Sequence, residues 1–156
     1  MTKLTEICDS ENLSITEGAK EAIVTLSGGD MRKVLNVLES ASLAHDEISE
    51  DDIYSCTGKP SPSDVDIIMK SLLKDGYKKA FKTFMDLKLN LSLTLEDLVS
   101  NIHKAVMKTD LNNKMKIYLA IRLSDIEQRI AVGCNEKLQV ASIVGAFIEI
   151  RTFRKK

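Results

Sequence analysis

The stretch GKPSPS, Gly58 to Ser63, contains both prolines of this 156-residue chain. Proline breaks helices because it lacks a backbone N–H and its ring clashes with the preceding turn, so this stretch marks a domain boundary. Aromatic residues make up 4% of the chain and tryptophan is absent, so aliphatic side chains must fill the core. That composition favours helices over sheets. We therefore expect an all-α protein with domains at 1–57 and 64–156 and a linker at 58–63.

Helix-start signals lie on both sides of this boundary. Ser61 is a candidate N-cap, with Pro62 at the first helical position and Asp64 in the first turn, which predicts a helix from 62. Comparable starts occur at Ser49, Thr94 and Asn135, and Gly133 is a candidate helix stop. No segment shows the alternation of a strand. The predicted helices cover residues 2–11, 16–26, 30–44, 49–56, 62–75, 77–88, 94–109, 112–132 and 136–154.

Charge is distributed unevenly between the two predicted domains. The whole chain carries −1, yet residues 1–57 hold four basic against twelve acidic residues and the remainder holds eighteen against eleven. The hydrophobic fraction of 44%, with only 7 glycines, excludes a disordered or collagen-like chain. No signal peptide is recognisable, and the longest apolar stretch, 140–150, is too short to span a bilayer. We expect a soluble protein.

The residues that usually carry chemistry are sparse. Cys8, Cys56 and Cys134 lie far apart, which favours reduced thiols in an intracellular protein. His45 and His103 lack companions at metal-site spacing, and no Gly-x-Ser-x-Gly or HExxH motif occurs. No P-loop is present either, so the chain does not bind a nucleoside triphosphate in that manner by itself.

One short segment is more informative: SGGDMRKVLN, Ser27 to Asn36. Its two glycines allow a sharp turn and Asp30 opens the next helix, which places Arg32 in the first helical turn. There the helix dipole and unsatisfied N–H groups attract anions, and a guanidinium suits a phosphate. Lys33 is adjacent but lies about 100° away around the helix. A solvated surface arginine is the alternative interpretation.

The last two predicted helices differ in their apolar pattern. One apolar stripe on the eighth helix consists of Leu119, Leu123, Ile126 and Ile130, while Arg122, Asp125 and Arg129 could form a charge ladder on another face. The final helix is apolar around most of its circumference at 140–150, including Val144 and Phe147. It is either internal or covered by another protein.

Three segments in the correct order resemble the small subunits of replication factor C, the eukaryotic sliding-clamp loader, a member of the AAA+ ATPases. SGGDMRKVLN resembles the sensor-2 motif of that family. IYSCTGKPSPSDV, from Ile53 to Val65, resembles its passage from lid to collar, and DIEQRIAVGCNEKLQVASIVGAF, from Asp125 to Phe147, resembles its C-terminal collar helices. Val34 and Lys33 depart modestly from the usual motif, which often has Ala and Arg there.

The resemblance implies that 1–57 is a helical AAA+ lid and 64–156 a collar, an oligomerisation domain joining five loader subunits. Arg32 would then contact the γ-phosphate of ATP, bound with magnesium by a preceding ATPase domain outside these 156 residues. The chain would be a C-terminal fragment, neither an enzyme nor an ATP binder alone. Its implied partners are other replication factor C subunits and, through the complete complex, the sliding clamp and primer–template DNA, without a membrane. Its implied setting is the nucleus, in DNA replication and repair.

Two alternatives remain open at this stage. The basic second half, with Arg151, Arg154, Lys155 and Lys156 at its end, suggests a nonspecific nucleic-acid binder, but no aromatic stacking platform is evident. A freestanding helical protein-interaction adaptor would keep the fold without a role in ATP sensing.

Overall fold

A computed structural model describes residues 2–153 of the chain. It divides into two units, Met1–Lys59 and Pro60–Lys156, each with its own hydrophobic core. The first unit contains α1 (Thr2–Ser10), β1 (Ser14–Ile15), α2 (Glu17–Ser27), α3 (Met31–Ala44), β2 (Glu47–Ile48) and α4 (Glu50–Thr57). The second contains α5 (Pro62–Lys74), α6 (Tyr77–Asn90), α7 (Leu95–Lys108), α8 (Asn113–Ala131) and α9 (Glu136–Phe153). The all-α prediction is confirmed.

The predicted helix starts are confirmed by their capping geometry. Ser61 forms a capping box with Asp64: its hydroxyl accepts the Asp64 N–H at 3.2 Å, and the Asp64 carboxylate accepts the Ser61 N–H at 3.1 Å. Ser49 forms the same arrangement at the start of α4, and Thr94 and Asn135 cap α7 and α9 through their side chains. These bonds satisfy N–H groups that have no partner inside the helix, so they fix where each helix begins.

The prediction that no strand occurs is wrong in a small way. β1 and β2 form a two-stranded parallel sheet in which Ser14 pairs with Glu47 and Ile15 with Ile48. The Thr16 N–H extends this pairing by donating to the Ile48 carbonyl at 3.1 Å. Strands of two residues are too short for alternating polarity to be recognised in the sequence. They join the segment before α2 to the segment before α4.

The first unit packs its helices around small and aliphatic side chains. Helices α2, α3 and α4 contact one another, and α1 contributes Leu4 and Cys8 to the same core. The side chains of Ile23 and Ile53 are fully buried, beside three alanines of α2 and α3. Alanine at these positions lets the helix backbones approach closely, so a short segment can still form a closed core.

The second unit is organised around α9. This helix packs against α5, α6 and α8, and the side chains of Val140, Ile143, Val144 and Phe147 are fully buried among them. A salt bridge of 2.7 Å from Lys88 to Glu136 ties the end of α6 to the start of α9. The apolar character of 140–150 is therefore explained by internal packing, and the alternative that a partner covers Val144 and Phe147 is wrong. Within residues 2–153, no helix has the length and apolarity needed to cross a membrane.

Candidate functional site

The turn between α2 and α3 has a backbone that glycine favours. Gly28 and Gly29 adopt φ values of +58° and +85°, and the Asp30 N–H donates to the Ser27 carbonyl at 3.1 Å. Other residues rarely adopt two consecutive left-handed conformations because of clashes with the Cβ atom. The pair therefore reverses the chain within two residues and brings Asp30 to the start of α3, as the sequence predicts.

Arg32 is the second residue of α3. The Asp30 carboxylate caps the helix by accepting the Arg32 backbone N–H at 3.0 Å. The Arg32 side chain is exposed, and within residues 2–153 its guanidinium has no ion pair or hydrogen bond. The cap thus fixes the backbone from which the guanidinium projects while leaving the charge itself available. Lys33 is also exposed.

Apolar side chains lie next to Arg32 on the exposed part of α3. Met31 and Leu35, one helical turn apart, are 40% and 43% exposed. At 100° per residue, Leu35 lies about 60° from Arg32 around the helix. A cationic group with two exposed apolar side chains on one side of it is suited to contact with another polypeptide that also presents an anion.

Of the remaining chemistry-bearing residues, His45 has a partner in Asp52, whereas the three cysteines are free thiols. His45 Nδ1 lies 3.6 Å from Asp52 Oδ1, at the point where α3 ends and α4 begins. Hydrogen bonds from Ser49, helped by the nearby His45, lower the pKa of Asp52. Burial raises the pKa of the Cys8 thiol, whereas Cys56 and Cys134 are exposed free thiols. No group of three potential metal ligands occurs within residues 2–153.

The second unit has a surface that the sequence analysis missed. Leu119, Leu123 and Ile126 face the core as predicted, but Ile117 and Ile121, on the opposite side of α8, are 61% and 58% exposed. Residues at spacings of three and four continue this line without a charged side chain. We call the set the α8 outer face: Ile117, Ile121, Ser124, Gln128 and Val132. The sequence signal for this surface was the pair Ile117 and Ile121, which lie one turn apart and outside the apolar stripe that faces the core.

The predicted charge ladder along α8 is wrong. Arg122 instead donates from Nε to the Tyr118 hydroxyl at 3.0 Å, and that hydroxyl donates to the Glu149 carboxylate on α9. A second guanidinium nitrogen of Arg122 lies 4.0 Å from the same carboxylate. The partner thus comes from the neighbouring helix, which spacing within α8 does not reveal. Asp125 and Arg129 line a shallow depression beside the α8 outer face.

Comparison with known families matches both units. Residues 60–146 match the family model described as the replication factor C C-terminal domain, which spans more than half of the chain. The chain belongs to the replication factor C family. Residues 1–55 match a second model, described as an RFC1-like AAA+ ATPase lid domain.

Relatives of this replication factor C chain come from distant eukaryotes. Probable replication factor C subunit 5 of Dictyostelium discoideum is 41% identical over 93% of the chain. Subunit 5 of Homo sapiens is 37% identical over 93%, and subunit 3 of Saccharomyces cerevisiae is 36% identical over 92%. These matches confirm the resemblance to the small subunits of replication factor C, and the similar subunit is numbered 5 in humans and 3 in budding yeast. The chain spans 42%, 43% and 44% of the length of these three relatives.

Proposed function

We propose that this replication factor C chain supplies the lid and collar of one small subunit of a sliding-clamp loader. In this proposal the lid senses ATP, and the collar holds the subunit among other replication factor C subunits. The sliding clamp and primer–template DNA would be engaged through the complete complex, in the nucleus, during DNA replication and repair. The matches to lid and C-terminal domain models support this assignment.

The exposed guanidinium of Arg32 is the observation that carries the ATP-sensing part. It stands at a capped helix start and has no partner within residues 2–153, so it can pair with an anion from elsewhere. A guanidinium offers paired N–H donors that match phosphate oxygens. Of the predicted ATP contacts, Arg32 alone belongs to this chain. The triphosphate and its magnesium would be held by the preceding ATPase domain.

Substitution of Arg32 in the full-length subunit tests this role. A charge-assisted phosphate contact contributes about 1.5–3 kcal/mol, so Arg32→Ala should reduce ATP-driven clamp loading and steady-state ATPase on the order of tenfold or more. Lys33→Ala is the matched control, because it removes the neighbouring exposed charge on a different side of α3. If Arg32→Ala leaves both rates unchanged, Arg32 does not contact the phosphate.

The α8 outer face supports the assembly part. Two isoleucines each more than half exposed leave apolar area in water, and a subunit interface would bury it. Burial of such area is favourable by roughly 25 cal/mol per Å². The α8 outer face, rather than α9, is therefore the surface that we assign to contact with another replication factor C subunit.

Charged substitutions on this face test the assignment. Ile117→Asp combined with Ile121→Asp should abolish co-purification with other loader subunits while far-UV circular dichroism stays unchanged, because neither side chain is in the core. Leu89→Asp is the control, since Leu89 is an equally exposed apolar residue on α6. Normal assembly of the double variant would show that another surface joins the subunits.

A further inference from the structure

The segment around the turn from α5 to α6 carries a concentration of positive charge, although the overall charge of the chain is −1. We call this segment, residues 70–82, the α5–α6 corner. The thirteen residues from Lys70 to Lys82 contain five lysines and one acidic residue, Asp75. All five lysines are exposed: Lys70, Lys74, Lys78, Lys79 and Lys82. Like charges at this density repel one another and attract a polyanion.

Most of this charge is uncompensated within the part of the chain that the structure describes, residues 2–153. Lys79 pairs with Asp75 at 2.9 Å, and Asp75 also accepts a hydrogen bond from Ser71. These contacts lower the pKa of Asp75 and occupy the one carboxylate of the segment. The other four lysines form no ion pair within residues 2–153. Four exposed cationic groups are thus available within thirteen residues.

The first turn of α6 is unfavourable for these cations. Its N-cap is Gly76, which supplies no side-chain hydrogen bond, and the turn holds Lys78 and Lys79 but no acidic residue. The positive end of the helix dipole lies at this turn, so the lysines reduce helix stability there. A bound anion would relieve both the repulsion between lysines and the unfavourable dipole interaction.

An aromatic pair lies among the lysines. The rings of Tyr77 and Phe81 are stacked, with centroids 6.1 Å apart and planes 13° from parallel. Phe81 packs against the core of the second unit, whereas Tyr77 stands outside it and is 45% exposed. The partly buried ring of Phe81 supports the ring of Tyr77, so Tyr77 presents an aromatic surface beside the lysines. The spacing of four residues between the two aromatics was the sequence signal for this pair.

We propose that the α5–α6 corner binds single-stranded nucleic acid, with the lysines contacting phosphates and an unpaired base stacking on Tyr77. Neither contact depends on the nucleotide sequence, since lysines neutralise the phosphate backbone and any base presents a π-face to an aromatic ring. A duplex would satisfy the lysines but not the tyrosine, because its bases are already stacked. The site uses neither Arg32 nor any residue of the α8 outer face, so it does not depend on the proposed loader function.

The end of α9 lies beside this corner. Arg151 donates a hydrogen bond to the Leu72 carbonyl near the end of α5, and its charge helps to lower the pKa of Asp75. Arg151 is partly buried in this position. Of the basic C-terminal group that the sequence analysis singled out, Arg154, Lys155 and Lys156 lie outside the described residues.

Fluorescence anisotropy of the 156-residue chain with a labelled single-stranded oligothymidine tests the site. We expect binding that weakens with salt at a log–log slope of about −2 to −3, the value for up to four phosphate contacts on a single strand. Tyr77→Ala should weaken binding on the order of tenfold, while Tyr77→Phe retains it. Lys78→Ala and Lys82→Ala should each reduce the slope by about 0.7.

Matched controls separate this site from general charge attraction. Leu89→Ala removes an exposed apolar side chain from the same helix, and Lys104→Ala with Lys108→Ala removes two exposed lysines from α7; neither should change affinity. Circular dichroism confirms that each variant is folded. Three results would each overturn the proposal: undiminished binding by Tyr77→Ala, equal loss in the α7 variant, or preference for duplex or polyphosphate over the single strand. An absence of binding by the unaltered chain at low salt would overturn it as well.

Discussion

The two units of the chain differ in charge and in the side chains that form their cores. The first, Met1–Lys59, has an acidic composition and a core of small and aliphatic side chains. The second, Pro60–Lys156, is basic and buries roughly twice as many apolar side chains, including the rings of Phe84 and Phe147. Small units bury a lower fraction of their surface, so the first depends more on each cap and each core residue.

The same contrast separates the two proposed functions. Arg32 is an exposed side chain whose loss should leave its unit folded, and it would act on a ligand held elsewhere. The α8 outer face lies on a helix whose other side forms part of the larger core. The ATP-sensing part of the proposal thus rests on the smaller unit, and the assembly part rests on the larger one. The following substitutions test how far this division holds, from the largest expected effect to the smallest.

Charge in the centre of the second unit should have the largest effect. Phe147→Asp places an unpaired carboxylate where the native ring is fully buried, and even Phe→Ala in a core costs about 3–5 kcal/mol. We expect loss of the α9 core and of much of the far-UV circular dichroism. Leu138→Asp places the same carboxylate on α9 at a position that is 67% exposed, and serves as control. A folded Phe147→Asp variant would contradict the internal position of α9.

Similar cavities in the two units should cost a similar free energy of unfolding but should unfold the two units to different extents. Ile53→Ala in the first unit and Ile102→Ala in the second each remove a fully buried side chain, at about 2–5 kcal/mol. We expect the loss to unfold much of the smaller unit and leave the larger one folded at 25 °C. Urea titration followed by circular dichroism measures both. Similar unfolded fractions for the two variants would show that the units have equal stability.

The two capping boxes provide a finer comparison. Ser49→Ala and Ser61→Ala each remove an N-cap, at about 1 kcal/mol in the free energy of unfolding. Because bonds from Ser49 lower the pKa of Asp52, that stabilisation is complete above the unfolded pKa near ~4 and lost as pH falls through the lower folded value. The cost of Ser49→Ala should therefore decrease as the pH falls below about 4 in urea titrations. A cost independent of pH would mean that the hydrogen bond from the Ser49 hydroxyl to the Asp52 carboxylate does not stabilise the folded state.

Local signals in the sequence predicted more than the non-local ones. Ser61, Pro62 and Asp64 act within one helical turn, so their consequence for α5 could be predicted without knowledge of the fold. The burial of α9 could not, because an all-round apolar helix fits either a core or an interface. The partner of Arg122, Glu149, lies on another helix. The spacing of residues within one helix cannot predict such a pair.

The candidate sites show the same difference between local and non-local signals. The turn at Gly28 and Gly29 and the cap at Asp30 were predictable from adjacent residues, and both are confirmed. The contact of Arg32 with a phosphate stays a prediction, because the ligand would be held by other polypeptide. The exposed pair Ile117 and Ile121 became evident only once the structure showed which side of α8 faces the core.

The most direct measurement is calorimetric titration of ATP and ADP into the full-length subunit within the assembled loader, with and without Arg32→Ala. ADP lacks the γ-phosphate, so the substitution should weaken ATP binding on the order of tenfold to a hundredfold and leave ADP binding and helicity unchanged. Equal affinities of the two proteins for ATP, or equal losses for ATP and ADP, would contradict the central claim that Arg32 senses the γ-phosphate.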